Sequence, residues 1–183
     1  NLPHLCDRAG VAFVQAEIVG VDSQRQDLLL HQRPALSFGV LSLDVGAVTR
    51  NLEHLSGVPI KPLEEALQFL SQQDPEDPQP FRIVGAGPAG IEVALALRRR
   101  WPRRPLKLQI RAGQLNATTK SILRRAHIHC VTDASAHASL LCTGSRAPSW
   151  LANSGFAVDH NGRVLTNSFL QLEGYSHLFA SGD

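Results

Sequence analysis

The stretch from Phe81 to Arg100 constrains the fold most, because it joins a short apolar run to a glycine-rich turn and a helical pattern. It reads FRIVGAGPAGIEVALALRRR, and the predicted strand is Phe81 to Val84. The glycines that follow, in the spacing G-x-G-x-x-G, are Gly85, Gly87 and Gly90. In a strand–turn–helix unit such glycines permit a tight turn, close approach of the backbone to a pyrophosphate, and close helix packing. The stretch therefore predicts an α/β unit that binds a dinucleotide.

The helix after the turn adds a second reason to expect a dinucleotide. Its unpaired N–H groups and positive dipole end would face an anion, so Pro88 and Ala89 belong to the predicted site. Its apolar residues lie on several sides, as burial against a sheet requires. Glu92 is placed in the first turn, where it would complement the helix dipole. The alternative is a glycine-rich turn of purely structural use, because the spacing alone is a weak signal.

Length and composition exclude several classes of protein. The 183 residues suffice for one or two small domains, and 43% hydrophobic with 19% charged residues is typical of a globular protein. A net charge of +2, one Tyr and two Trp give no support for nucleic-acid binding. No apolar run reaches the roughly 20 residues of a membrane span, and the first residues do not form a targeting peptide. A cytoplasmic location is the expectation.

The cysteines point away from redox and metal centres within this chain. Cys6, Cys130 and Cys142 are an odd number with no C-x-x-C pair, which favours a reducing compartment. No metal site is predicted, because on a strand His127 and His129 share one face while Cys130 points to the other. Met is absent even at position 1, so we expect the chain to be a fragment of a longer protein.

Strand and helix signals alternate after Pro80 and are mixed before it. The segment Ser71 to Pro80 carries three prolines and is interpreted as a linker or domain crossing. Asn116 or Thr118 is the predicted cap of a later helix. The predicted strands are Val11 to Val21, Asp27 to His31, Phe38 to Leu43, Leu106 to Arg111, His127 to Val131 and Ser139 to Cys142, and the predicted helices begin at Pro62 and Thr118.

Arginines occur at two places near the glycine-rich unit. Arg111 lies 21 positions after Gly90 (111 minus 90), where NAD and FAD sites usually carry an acid for the ribose 2′-hydroxyl. A guanidinium suits a 2′-phosphate, which favours NADP over NAD and argues against FAD at this turn. The alternative is an exposed arginine without a ligand. Arg98 to Arg100, with Arg103 and Arg104, are interpreted as solvated cations at a helix C-terminus.

Most of the chain resembles one family, the FAD-dependent pyridine nucleotide-disulfide oxidoreductases. The branch it resembles is NADH dehydrogenase-like and includes the flavoprotein domain fused to selenide, water dikinase. The matching segments, in the family's order, are LSLDVGA at Leu41 to Ala47, IKPLEEALQFL at Ile60 to Leu70, IVGAGPAGIEVALAL at Ile83 to Leu97, LLCTGSRAPSWLANSG at Leu140 to Gly155, and NGRVLTNSFLQ with the terminal LFASGD.

The resemblance implies two dinucleotide-binding domains, with the NAD(P) domain inserted into the FAD domain. Residues 1–56 would be a β-rich part of an FAD-type domain, 57–161 the NAD(P)-binding Rossmann-like domain, and 162–183 the return segment. Glu92 would lie near the nicotinamide and flavin rings, and the Thr143-Gly144 backbone would contact the nucleotide. The aspartate of the terminal Gly182-Asp183 pair would bind the ribityl or pyrophosphate part of FAD. The family's N-terminal FAD glycine motif is missing.

Two functions follow from these expectations. The first is a part of a flavin-dependent NAD(P)H oxidoreductase, in which the intact protein passes hydride from NAD(P)H to FAD. The second is a non-catalytic dinucleotide-binding or regulatory module fused to another enzyme. In both, the expected fold is a parallel sheet with helices on both faces, and the expected partners are a dinucleotide, the missing remainder of the parent polypeptide and, as an option, a second copy in a homodimer.

Overall fold

The computed structural model describes residues 2–50, 55–133 and 137–182. In chain order the helices and strands are α1 (Leu2–Arg8), β1 (Ile18–Asp22), β2 (Asp27–Leu30), β3 (Leu36–Ser37), β4 (Leu41–Leu43), β5 (Val48–Thr49), β6 (Ser56–Pro59), α2 (Leu63–Ser71), β7 (Phe81–Val84), α3 (Pro88–Arg100), β8 (Leu106–Gln109), α4 (Ala117–Arg125), β9 (Ile128–Val131), β10 (His137–Leu141), β11 (Ser145–Arg146), α5 (Ser149–Asn153) and β12 (Leu178–Ala180).

The chain divides into two compact units. The discontinuous unit consists of Asn1–Gly46 with Ala147–Asp183, and the central unit is Ala47–Arg146. The sequence expectation placed these divisions at 56/57 and 161/162. The assignment of the units to FAD-type and NAD(P)-type domains stays a prediction.

The central unit is built on a five-stranded sheet in the order β6-β10-β7-β8-β9. Every neighbouring pair in this sheet is parallel, with Ile83 opposite both Leu108 and Leu140. Helices α3 and α4 connect β7 to β8 and β8 to β9, as the alternating sequence signals predicted. The predicted α/β class, a parallel sheet flanked by helices, is confirmed, and β6 is a strand that the sequence pattern did not reveal.

One apolar core joins the helices α2, α3 and α4 to a single face of this sheet. Phe81, Ile83, Leu106 and Leu108 are completely buried in it. On the opposite face Arg82, Lys107 and Gln109 are polar and half-buried, whereas Val84 and Leu141 are buried with Leu55 in a small second cluster. The Arg82 guanidinium donates to the Asp133 carboxylate at 2.9 Å, and this hydrogen bond lowers the pKa of that carboxyl. The expectation placed helices on both faces, whereas the three helices of this unit share one.

The segment Ser71 to Pro80 lies within the central unit and not at its boundary. Arg104, only 5% exposed, forms an ion pair with Asp77 at 2.9 Å and donates to the Asp74 carbonyl at 2.8 Å. Its guanidinium carbon also lies 5.0 Å from the Trp101 ring centroid and 5.1 Å from that of Phe81. The interpretation of Arg104 as a solvated cation is therefore wrong, because the proline-rich segment folds over the sheet and Arg104 holds it there.

The discontinuous unit contains a three-stranded antiparallel sheet, β1-β2-β3, and a parallel pair, β4-β12. Leu43, Leu178 and Phe156 are buried in its core. The predicted strand Val11 to Val21 begins only at Ile18, because among the described residues those before Glu17 make no backbone hydrogen bond to another strand. Leu2–Arg8 forms a helix with no buried residue.

Candidate dinucleotide site

The glycine-rich turn connects β7 to α3 at the carboxyl end of the parallel sheet. Gly85 has φ +106°, a left-handed conformation, and a Cβ there would lie 2.6 Å from the carbonyl carbon of Cys142. A Cβ at Gly90 would overlap the carbonyl oxygen of Gly85 and lie 2.9 Å from its carbonyl carbon. Neither position accepts a side chain, because the turn packs against its own backbone and against the end of β10.

Gly87 differs from the other two glycines. It is the N-cap of α3 with φ −71° and ψ 177°, which any residue adopts, and no atom lies within 4 Å of the position that a Cβ would take. No side chain caps the helix, and Pro88 and Ala89 are exposed. The open space above Gly87 thus adjoins a helix N-terminus that has no internal hydrogen-bond partner.

The end of β10 forms the wall behind the turn. The Cys142 N–H donates to the Val84 carbonyl at 2.7 Å, which continues the parallel pairing up to the turn. Thr143 Oγ1 donates to the Arg50 carbonyl, and the Arg50 N–H donates to the Gly144 carbonyl at 2.8 Å. These bonds fix Thr143 and Gly144 beside Gly85.

Cys142 is the member of this wall that the sequence interpretation missed. Only 6% of it is exposed, and burial raises the pKa of its thiol to about 11. The thiol is therefore neutral at physiological pH and serves as an apolar packing group. The usable signal was its place at the end of a predicted strand, since the carboxyl ends of parallel strands meet at one edge.

Arg111 and Glu92 are exposed residues that follow β8 and the glycine-rich turn, respectively, along the chain. Arg111 follows β8, its backbone N–H donates to Gln114 Oε1 at 2.9 Å, and its side chain is exposed. In the described part of the chain its guanidinium makes no ion pair. Glu92 is exposed in the second turn of α3, and the first turn contains no acid. The placement of Glu92 in the first turn is therefore wrong, because the helix begins at Pro88.

Gly182 belongs to the discontinuous unit and lies apart in sequence from the glycine-rich turn. It follows β12, has φ +91°, and a Cβ there would meet the carboxylate of Asp44. The ends of β4 and β12 border a cavity of about 270 Å³. Asp183, the other half of the predicted pair, lies outside the described residues.

Comparison with curated proteins finds relatives of about twice this length. Ferroptosis suppressor protein 1 of Mus musculus is 24% identical over 216 residues, covering 93% of this chain and 56% of that protein. The protein of the same name from Xenopus tropicalis is 23% identical over 212 residues, with the same two shares. The chain spans about half the length of the curated relatives it matches. No protein-family model matches it.

Solved structures share the fold over the whole chain. The putidaredoxin reductase in its covalent complex with putidaredoxin gives a TM-score of 0.81 at 16% identity, covering 100% of this chain and 53% of that one. NADH:rubredoxin oxidoreductase from Clostridium acetobutylicum gives 0.78 at 14% identity, covering 98% and 52%. Among the helices of the described residues, none has the length and apolar character needed to cross a membrane.

Proposed function

We propose that this chain, which has the fold of the FAD-dependent pyridine nucleotide-disulfide oxidoreductases, carries the NAD(P) site of a flavin-dependent NAD(P)H oxidoreductase. In the intact protein the nicotinamide would pass hydride to the flavin, and the protein would bind and orient the two groups. The site is the Gly85 to Gly90 turn, with Pro88 and Ala89 in the first turn of α3. Thr143 and Gly144 border it, and Arg111 and Glu92 lie at its rim.

The observation that supports this proposal is that protein packing requires two of the three glycines and does not require the third. Gly85 and Gly90 are required by packing, whereas Gly87 is not required by any protein contact. The space that a side chain would fill at Gly87 lies at the N-terminus of α3, where a pyrophosphate would accept hydrogen bonds from the free backbone N–H groups. A turn of purely structural use would need only the first and third glycine.

The test is Gly87→Val with Gly87→Ala as the matched control. Because nothing in the protein touches this position, we expect Gly87→Val to keep the thermal midpoint of the wild type. We expect its affinity for NADPH, measured by calorimetry, to fall at least about tenfold, equal to about 1.4 kcal/mol. Gly87→Ala should lose less. Unchanged binding in a folded Gly87→Val protein would remove the pyrophosphate from this turn.

Arg111 gives the proposed preference for NADP. An exposed guanidinium without an ion pair is suited to the 2′-phosphate, and it cannot accept the hydrogen bond that the 2′-hydroxyl of NAD donates to the usual acid. Arg111→Asp should reverse the ratio of the two dissociation constants, while Arg103→Asp, an exposed arginine beyond the far end of α3, should leave the ratio unchanged. Equal ratios in both variants would exclude Arg111 from the site.

The discontinuous unit does not fit FAD by itself. Gly182 and the carboxyl ends of β4 and β12 are suited to one edge of a flavin dinucleotide, and Asp183 is the proposed ribityl ligand. Within the described part of the discontinuous unit, however, no glycine-rich turn leads into a helix. We therefore expect the isolated chain to be colourless and to oxidise no NAD(P)H above background. Stoichiometric copurified flavin would contradict this expectation.

A non-catalytic dinucleotide-binding module is the second candidate, favoured by Arg111 and by the absence of a C-x-x-C pair in this sequence. A flavin absorbance that NADPH or NADH bleaches in the longer parent protein would support the oxidoreductase, and its absence would support the module.

The finer proposals are an NADH dehydrogenase-like reaction, residues 57–161 as the NAD(P) domain, and a homodimer. The cytoplasmic location is also a proposal, supported by three free cysteines.

A further inference from the structure

The central unit contains a long segment without any acidic residue. From residue 93 to residue 132 the sequence has ten Lys or Arg and no Asp or Glu. The whole central unit carries 14 basic and 8 acidic residues, a formal charge of +6 (14 minus 8), whereas the discontinuous unit carries 4 and 8, a charge of −4 (4 minus 8). Such a charge asymmetry between two units of one chain favours an anionic partner for the basic unit.

The two helices of this basic segment end side by side. Helices α3 and α4 end shortly before β8 and β9 begin, and these two strands pair in parallel with Leu106 opposite Ile128. The Arg98 guanidinium donates to the His127 carbonyl at 3.0 Å, which joins the last turn of α3 to the connection after α4. The C-terminal turns of both helices therefore lie at the same edge of the sheet.

This arrangement brings five exposed guanidinium groups to one edge. We define the basic patch as Arg99, Arg100, Arg103, Arg124 and Arg125. None of the five forms an ion pair with a described residue, whereas buried Arg104 pairs with Asp77. The helix dipole accounts for cations in the last turn of a helix, but Arg103 lies outside both helices. Ile122, one helical turn before Arg125, is 45% exposed and adds an apolar side chain to the patch.

The surroundings of the basic patch favour an acidic peptide segment over a nucleic acid or a membrane. The only aromatic residue between Arg98 and His127 is Trp101, which is completely buried, so no ring in this segment can stack on a base. Exposed Asp74 and Glu76 precede β7 at the same edge of the sheet. A duplex or an anionic membrane that covered the whole edge would meet these acids, whereas a short segment can contact the patch alone.

We propose that the basic patch binds an acidic segment of another protein, whose carboxylates pair with the guanidinium groups and one of whose apolar side chains packs against Ile122. Guanidinium groups suit this partner because they bind carboxylates through two parallel hydrogen bonds. The patch lies at the opposite end of α3 from the glycine-rich turn, and the 13 residues of that helix separate the two by about 20 Å. The proposal is therefore independent of the dinucleotide site, and both sites can be occupied together.

The probe is the fluorescein-labelled peptide Glu-Glu-Glu-Leu-Glu-Glu-Glu, and fluorescence anisotropy measures its binding to the 183-residue chain in about 50 mM NaCl. The patch variant combines Arg99→Gln, Arg100→Gln, Arg124→Gln and Arg125→Gln. The matched control removes four charges from other exposed arginines through Arg8→Gln, Arg25→Gln, Arg33→Gln and Arg146→Gln. We expect the dissociation constant of the peptide to rise at least about tenfold in the patch variant and less than about twofold in the control.

Circular dichroism and NADPH affinity should be the same in the patch variant and the wild type. Should the patch variant fail to fold, the smaller change Arg103→Gln with Arg125→Gln should still raise the dissociation constant about threefold. Ile122→Ser should weaken the binding of this peptide but not of the peptide with Ser in place of Leu. Absence of peptide binding, or equal losses in the patch variant and the control, would overturn the proposal. Tighter binding of a short DNA duplex or of phosphatidylserine vesicles, lost in the patch variant, would assign the patch to another class of anion and would also overturn it.

Discussion

Replacing Arg104 with methionine should destabilise the central unit by about 2–3 kcal/mol. The guanidinium donates to the Asp77 carboxylate and to the Asp74 carbonyl and lies against two aromatic rings. Methionine has a similar length and fills the space between the rings, but it can neither donate these bonds nor carry the charge. The substitution therefore tests the polar contacts with little change in packed volume.

The magnitude follows from the surroundings of each contact. The Asp77 side chain is 33% exposed, so we assign its ion pair with Arg104 only about 1 kcal/mol after solvent screening. The charge-assisted bond to the Asp74 carbonyl contributes about 1.5 kcal/mol, and the two ring contacts together about 1 kcal/mol. Burial of the methionine side chain offsets about 1 kcal/mol of this loss in the free energy of unfolding.

The assay is urea unfolding in a Trp150→Phe background, in which completely buried Trp101 is the only tryptophan and reports on the central unit. Arg103→Met is the control at an exposed neighbour and should change the free energy of unfolding by less than about 0.5 kcal/mol. Asp77→Asn should cost about 1 kcal/mol. A loss below about 0.5 kcal/mol for Arg104→Met would refute the view that Arg104 holds the proline-rich segment on the sheet.

Three other substitutions test the local structure. Gly90→Ala should lower the free energy of unfolding by more than about 3 kcal/mol, because its Cβ would overlap backbone; a denaturant midpoint near that of the wild type would contradict the described turn. Burial raises the pKa of the Cys142 thiol from 9.0 to about 11, so the thiol loses its proton at a lower pH in the unfolded state than in the folded state. The free energy of unfolding should therefore fall as the pH rises from 9.0 to about 11, by up to about 2.7 kcal/mol (11 minus 9.0, at about 1.36 per unit). Cys142→Ala should remove this pH dependence, and a slope that persists would assign it to other groups. Asn116→Ala should lower the free energy of unfolding by about 1 kcal/mol, because Asn116 Oδ1 accepts a hydrogen bond from the Thr119 N–H at 2.8 Å. Circular dichroism during urea unfolding measures this loss, and a midpoint equal to that of the wild type would show that the cap does not stabilise the helix.

Local signals in the sequence predicted the glycine-rich unit well. The strand Phe81–Val84 and the helix after the turn follow from an apolar run, a glycine spacing and the apolar pattern of the helix, although the predicted helix began later than Pro88. Asn116, one of the two predicted caps, is the one that the structure uses. These features depend on neighbours along the chain, so short-range patterns suffice to find them.

Features that depend on distant neighbours were missed. Ser56–Pro59 became a strand because β10, about 80 residues later, pairs with it. Arg104 is buried because Asp74 and Asp77 fold back over it, and no local pattern separates it from exposed Arg103. In the site, the role of Cys142 arises from contact with Gly85 across 57 positions (142 minus 85). Composition and periodicity describe residues that are close in sequence, so they cannot reveal contacts between residues far apart in the chain.

The split of one unit around the other affects the order in which the chain can fold as it is synthesised. All residues of the central unit are available once Arg146 has left the ribosome, whereas β4 must wait for β12, 137 positions later (178 minus 41). Loop closure over that distance carries a large entropic cost unless the intervening residues are already compact. We therefore expect the central unit to fold first and to bring the two ends of the discontinuous unit within reach of each other.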